Sequence, residues 1–304
     1  MKNVMNLIVG VALGCTACAG LQSPVTPAPE ATISEKAQSI QDVGFATPES
    51  VLYDAQADIY LVSNINGNPT GQDDNGFITR LKPDGSVEEL KWIDGAREAY
   101  TLNAPKGMAL VEDTLYVTDI DHIRTFDRNT GMFKGALHLK DATFLNDLTP
   151  NGHGGVFVSD SGLNPDFSAS GTDTIYSIDG VGKIDTVIKG STLNRPNGLA
   201  FANDEIWNVS FGSNEIRKLS MDGTVLESFE APADGLDGIE LLKDGRAIIS
   251  SWGGKSVYML NSDGTFKDIV ADVDAAADIG FDTRRNRVLV PLFKENAVRI
   301  EPLS

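Results

Sequence analysis

The chain is poor in cysteine, in histidine and in positive charge. Its two cysteines, Cys15 and Cys18, both lie near the N-terminus, so no disulfide can staple the remainder. Three histidines in 304 residues leave few imidazoles for proton transfer or zinc binding. Twenty-five basic residues stand against forty-three acidic ones, a net charge of −18. That sign excludes nucleic-acid partners, whose phosphates need cations. The apolar stretch from Val4 to Leu13 is too short to span a bilayer as a helix. No long i, i+3, i+4, i+7 stripe follows it, which argues against a helical domain.

The beginning of the chain reads as a processing signal. Lys2 supplies its charge, Val4 to Leu13 its apolar segment, and small residues with the two cysteines follow. Ala12-Leu13-Gly14-Cys15 and Cys15-Thr16-Ala17-Cys18 both resemble the bacterial lipobox. Cys18 gives the more usual signal length and is favoured. The CxxC spacing lacks the partner cysteines a zinc site needs. A lipoprotein leader is therefore expected over 1–17 and a flexible tether over 18–36, rich in Pro, Ala, Ser and Thr. The leader holds Lys2 and no acid, so its removal takes the net charge from −18 to −19. The expectation is an exported bacterial lipoprotein on the periplasm-facing membrane or cell envelope. It would be a monomer that touches the membrane only through its lipid anchor.

From residue 37 onward the chain repeats one unit. Pro196-Asn197-Gly198-Leu199-Ala200-Phe201 and Leu236-Asp237-Gly238-Ile239-Glu240-Leu241 share a pattern. A polar residue is followed by a small one, then by apolar residues at the second and fourth positions after it. Six starts align: Glu49, Lys106, Asn146, Asn197, Asp237 and Ala277, at spacings of 57, 40, 51, 40 and 40. The two long spacings carry insertions, 66–76 and 163–172. Each unit continues with an apolar second strand such as Ile59-Tyr60-Leu61-Val62. An Asp-Gly hairpin turn such as Asp84-Gly85 or Asp222-Gly223 then precedes a polar fourth strand. Four short strands about every forty residues predict an all-β, six-bladed propeller over 37–304. The sixth unit ends after its third strand, so the segment around Ser39 to Val43 is expected to close the ring and hide its open edges.

In a propeller the six starting residues converge on the axis. Here that brings together two carboxylates, two amides and a lysine. Glu49, Asn146, Asn197 and Asp237 offer hard oxygen ligands of the kind Ca²⁺ prefers. Without a cation the two carboxylates would repel, and one would take up a proton. The small residues of the motif also suit ordinary polar turns, but four ligand-type residues at one repeat position favour a site.

This ordered set resembles the senescence marker protein, gluconolactonase and luciferin-regenerating enzyme family, related to paraoxonases and diisopropyl fluorophosphatase. Those are six-bladed propellers with a central divalent ion held by Glu, Asn, Asn and Asp. Glu49 in Pro48-Glu49-Ser50-Val51, Asn146 in Leu145-Asn146-Asp147, Asn197 in Pro196-Asn197-Gly198 and Asp237 in Leu236-Asp237-Gly238 match in that order. The likeness spans about residues 40–304. It departs at Ser50-Val51, where Gly-Pro is common, and at Lys106, where paraoxonases carry a histidine. It implies a Ca²⁺ (or other hard divalent) hydrolase acting on a small-molecule lactone or related ester. Asp237 would be base or nucleophile. Lys106 would either bind an anion or oxyanion or offset the acidic axis through Asp147 or Asp278. Asp147 and Asp278 read as ligand supports or loop caps, His122 as a weak pocket candidate, and Trp252 as a pocket wall. His138 and His153 read as an outer-strand and a turn residue. A non-catalytic ligand-binding or scaffold propeller with a structural metal stays open, as does a strictosidine-synthase-like condensing enzyme.

Overall fold

The computed structural model describes Met1 and residues 36–97 and 99–303. All of the expected leader but Met1, both lipobox cysteines and nearly all of the tether lie outside the described residues. Among the described residues there are twenty-four strands and a single 3₁₀ turn, Ser191–Leu193.

The strands form six four-stranded antiparallel sheets. β1 (Gln38–Ile40) opens the chain. Blade 1 is β2 (Pro48–Asp54), β3 (Ile59–Asn64), β4 (Phe77–Leu81) and β5 (Val87–Asp94). Blade 2 is β6 (Pro105–Val111), β7 (Thr114–Asp119), β8 (His122–Asp127) and β9 (Phe133–His138). Blade 3 is β10 (Leu145–Pro150), β11 (Val156–Asp160), β12 (Thr174–Ile178) and β13 (Ile184–Lys189). Blade 4 is β14 (Pro196–Ala202), β15 (Glu205–Ser210), β16 (Glu215–Ser220) and β17 (Val225–Glu230). Blade 5 is β18 (Leu236–Leu241), β19 (Ala247–Ser251), β20 (Ser256–Leu260) and β21 (Phe266–Ala271). Blade 6 is β22 (Gly280–Asp282), β23 (Arg287–Leu292) and β24 (Ala297–Pro302), completed by β1.

The core is divided among the joints between blades. Ile59, Leu61, Met108 and Leu115 pack blade 1 on blade 2. Ala109 and Ile123 meet Leu145 and Val156. Phe157 and Ile175 meet Leu199 and Ile206. Trp207 and Val209 meet Leu236 and Ile249. Ile248 and Val257 meet Val288 and Val290. Finally Val51 and Tyr60 meet Leu289 and Val298, which closes the circle. Each sheet is thus apolar on both faces along its inner and middle strands, while outer strands such as β17 stay largely exposed.

Ring closure is as expected, through a shorter strand. Gln38, Ser39 and Ile40 pair with Ile300, Arg299 and Val298, and Ile40 and Val43 pack on the joint between blades 6 and 1. Deleting residues 37–45 removes the fourth strand of blade 6 and bares that joint. The expected result is a fall in melting temperature of about 10 °C or more, since about 1 kcal/mol shifts a domain of this size by about 2–4 °C. Thermal unfolding followed by circular dichroism measures it; a wild-type melt would contradict this closure.

Candidate metal centre

Five inner strands break register with their neighbours at one equivalent place. Pro48 pairs with Asn64 but Ser50 with Ser63, and Pro105 pairs with Asp119 but Met108 with Val117. The same shift separates Leu145 from Leu148, Pro196 from Leu199 and Leu236 from Ile239. Each break leaves one more residue on the inner strand than on its partner, a bulge that re-aims side chains. Glu49, Lys106, Asn146, Asn197 and Asp237 all stand within these breaks. Together they line one cavity of about 390 Å³, and all five are buried. Ala277, the sixth axial residue, has no donor atom and lies outside the short β22.

Second-strand residues hold these bulges in place. The Ser50, Asp147 and Gly238 N–H groups donate to Ser63 Oγ, Ser159 Oγ and Ser250 Oγ at 2.9, 3.0 and 2.8 Å. Thr118 Oγ1 and Ser250 Oγ donate onward to the Asn146 and Ala277 carbonyls of the next blade, at 2.5 and 2.8 Å. One residue further on, Asn64, Asp119 and Asp160 accept N–H groups of Ala46, Ala104 and Phe144 at 3.0, 2.9 and 2.9 Å. Reading the inner-strand motif alone missed this layer. Its signal was a polar pair ending the apolar second strand: Ser63-Asn64, Thr118-Asp119, Ser159-Asp160, Ser250-Ser251.

The small residue of the motif answers a close approach. A Cβ on Gly198 would lie 2.4 Å from the Asp237 carbonyl oxygen, and one on Gly238 would lie 2.4 Å from Ile279 N. Gly198→Ala is expected to displace Asp237 and to destabilise the fold by about 1–3 kcal/mol, the usual cost of overpacking. Calcium affinity, read by titration calorimetry, should fall about tenfold; undiminished affinity would show that the Asp237 position tolerates the shift.

The donor set fits a hard cation. Glu49 Oε2, Asn197 Oδ1 and Asp237 Oδ1 are buried without hydrogen-bond partners. The Asn146 Nδ2 donates to Ser161 Oγ at 3.1 Å, which leaves its oxygen as the end for a ligand. Burial, followed by the charges of Asp237 and Asp278, pushes the Glu49 carboxyl well above the usual range, while Lys106 pulls it back. Burial and then Asp278 do the same to Asp237, against a lowering by Trp252 and Asn197. Lys106 is pushed down to about 8 by burial, opposed by Glu49 and Asp119. Its Nζ donates to Ala104 O at 3.1 Å and lies 4.4 Å from the centre of the Phe144 ring. The charge offset expected through Asp147 or Asp278 therefore runs through Glu49 and Asp119.

Asp147 and Asp278 lie beyond the axial ring, in a second cavity of about 360 Å³ shared with Glu240 and Ser50. Asp147 accepts the N–H groups of Leu148 and Leu199 at 2.7 and 2.6 Å. Asp278 accepts Ser50 Oγ at 2.6 Å. Both brace neighbouring blades from below the candidate ligands. Trp252 walls the upper cavity as expected. His122 does not line it: it opens β8, and its Nδ1 lies 2.6 Å from Asp121 Oδ1.

His122, His138 and Asp121 form the one group of three or more His, Cys, Asp or Glu residues among the described residues that could converge on an ion. The two imidazoles are stacked at 4.6 Å and 11°. A metal lies in the plane of each ring that binds it, so parallel rings would have to turn. The axial set differs in kind, with two amides and two carboxylates that all offer oxygen.

No family model and no curated protein matches the chain. Solved structures do. A gluconolactonase from Xanthomonas campestris is 18% identical with a TM-score of 0.67, over 88% of this chain and 89% of that one. A calcium-binding protein, regucalcin, from Agrobacterium tumefaciens is 15% identical with a TM-score of 0.61, over 87% and 95%. A catalytically inactive histidine-to-alanine variant of virginiamycin B lyase from Staphylococcus aureus, with quinupristin, is 15% identical with a TM-score of 0.60, over 88% and 99%. At these identities the likeness establishes the six-bladed propeller.

Proposed function

We propose that the chain is a calcium-dependent hydrolase of a lactone or related ester, working in the axial cavity. The observation that carries this reading is that three buried, unpartnered oxygens, on Glu49, Asn197 and Asp237, line one cavity. Each such acceptor costs about 1–3 kcal/mol when left unmet, and one hard cation would satisfy all three. Glu49, Asn146, Asn197 and Asp237 would hold it. A divalent cation there supplies Lewis-acid polarisation of a bound carbonyl.

The chain's own residues then have distinct tasks. The Asp237 carboxylate would take the proton of an attacking water and return it to the leaving alkoxide, or attack the carbonyl carbon and expel the alkoxide, leaving an anhydride that water hydrolyses. Lys106 Nζ spends one N–H on Ala104 O, and its remaining N–H groups face the developing oxyanion. That one structural neighbour is a gluconolactonase and another a calcium-binding protein supports this reading. The lyase agrees less well: its inactive variant lacks a histidine, and none lines this cavity.

Lys106 also favours a second reading, an anion-binding propeller with a structural metal. One experiment separates the two. Protein dialysed against Ca²⁺ is analysed for bound metal, then assayed on a panel of lactones, esters and phosphotriesters with and without Ca²⁺. The hydrolase reading expects about one tightly bound ion per chain and turnover that chelator abolishes. Bound calcium without turnover selects the second reading, and no bound divalent ion removes the basis of both.

A further inference from the structure

We infer that the substrate is an apolar ester or lactone bearing an alkyl or aryl group, and that polyhydroxylated sugar lactones are poor substrates. This inference rests on the hydrolase reading and concerns the walls of the same cavity.

The cavity is polar at its floor and apolar above it. Phe211, Trp252 and Phe293 form a continuous aromatic wall across blades 4, 5 and 6. Phe211 and Trp252 meet edge to face at 5.4 Å and 79°, and Trp252 and Phe293 at 5.2 Å and 55°. Phe144 covers Lys106 at 4.4 Å. Pro69, Leu163 and Phe167 complete the lining from the two inserted loops, which touch through Thr70 Oγ1 and Pro165 O at 3.4 Å. The extra residues of units 1 and 3 therefore add apolar surface above the candidate metal.

Few groups in these walls can meet a hydroxyl. Ser161 Oγ is already committed, accepting from Asn146 and donating to Pro196 O at 3.1 and 2.7 Å. The Trp252 indole N–H is buried without a hydrogen-bond partner and could meet one hydroxyl. Arg195 is the one charged lining residue outside the axial floor. A sugar lactone would bring several hydroxyls against carbon, each unmet one weakening binding about fivefold or more. An alkyl chain gains about three- to fourfold per buried methylene instead. The cavity volume lies in the small-molecule range.

The test uses the calcium-loaded full chain. Turnover of γ-butyrolactone, γ-nonalactone, dihydrocoumarin and glucono-δ-lactone is compared. Binding of 2-heptylcyclopentanone, a ketone with no scissile bond, is measured by calorimetry. The expected result is a kcat/KM at least 100-fold higher for γ-nonalactone and dihydrocoumarin than for glucono-δ-lactone. Phe211→Ser on the aromatic wall and Leu163→Ser on the inserted loop of blade 3 should each weaken ketone binding about tenfold or more, while Phe211→Tyr retains it. Melting curves identify any variant that fails to fold. Glucono-δ-lactone turned over as fast as the apolar lactones would overturn the inference and leave the hydrolase standing. Ketone binding sensitive to both serine substitutions, with no turnover of any lactone, would overturn the hydrolase and leave the apolar specificity. Neither turnover nor ketone binding would overturn both.

Discussion

Asp237→Asn is expected to lower kcat/KM on any ester the protein hydrolyses by about 10³-fold or more, while the fold is kept. The substitution is nearly isosteric, so the β18 bulge and its Ser250 support are unchanged. What goes is a negative charge and the proton acceptor. An amide cannot take the proton of a water at neutral pH, and losses of this order follow removal of groups that act only in the transition state. Calcium affinity should fall as well, because one of two carboxylate ligands becomes neutral. Stability should move the other way in the metal-free protein. Asp237 is buried, and its charge is opposed by Asp278, so removing that charge relieves the axis. The three readouts are initial rates, calorimetric calcium titration and thermal melts in chelator. Wild-type activity together with wild-type calcium binding would remove Asp237 from both roles.

The second large effect is a pH dependence that calcium cancels. In the unfolded chain these acids ionise near 3.8 for Asp and 4.5 for Glu. In the folded, metal-free chain Asp237 and Glu49 are held well above those values, chiefly by burial. Asp278 is raised to about 7 and Glu240 to about 8, again chiefly by burial. A raised acid binds its proton more tightly when folded. Stability from these groups is therefore greatest at low pH, falls as pH rises above about 4, and is fully lost above the folded values. Lys106, pushed down to about 8, acts with the opposite sign and only above that pH. Asp58, held to about 2 by its hydrogen bond from Arg285, is ionised in both states across the window. The metal-free protein is thus expected to lose a few kcal/mol between about pH 4 and pH 8. Calcium at about a thousand times its Kd returns about 4 kcal/mol, a rise of about 10 °C in Tm. The gap should close toward pH 4, where protonated ligands no longer bind. Melts across this range in calcium and in chelator measure it. Coincident curves at pH 8 would mean that the axial carboxylates need no cation.

Much of this was legible in the chain itself. A polar residue before a small one recurs at intervals near forty residues, and no helical stripe interrupts it. That periodicity determined six blades, a seam closed from the N-terminal side, and the convergence of Glu49, Lys106, Asn146, Asn197 and Asp237. Repetition carried so much because each blade is a local four-strand meander, and its neighbour in sequence is its neighbour in space. Tertiary structure alone decided what depends on contacts between blades. The partners of Lys106 are Glu49 and Asp119 because its ammonium sits above the layer that holds Asp147 and Asp278. His122 was drawn to Asp121 and His138 by a strand pairing whose register no local motif encodes. The apolar wall joins Phe211, Trp252 and Phe293, which recur every 41 residues, one per blade; that their rings touch is a matter of how the blades pack. Periodicity says which residues of each unit come near the axis, but which of them touch depends on strand register and ring closure, so the sequence determined the axial set and the closed ring determined the contacts that shape the cavity around it.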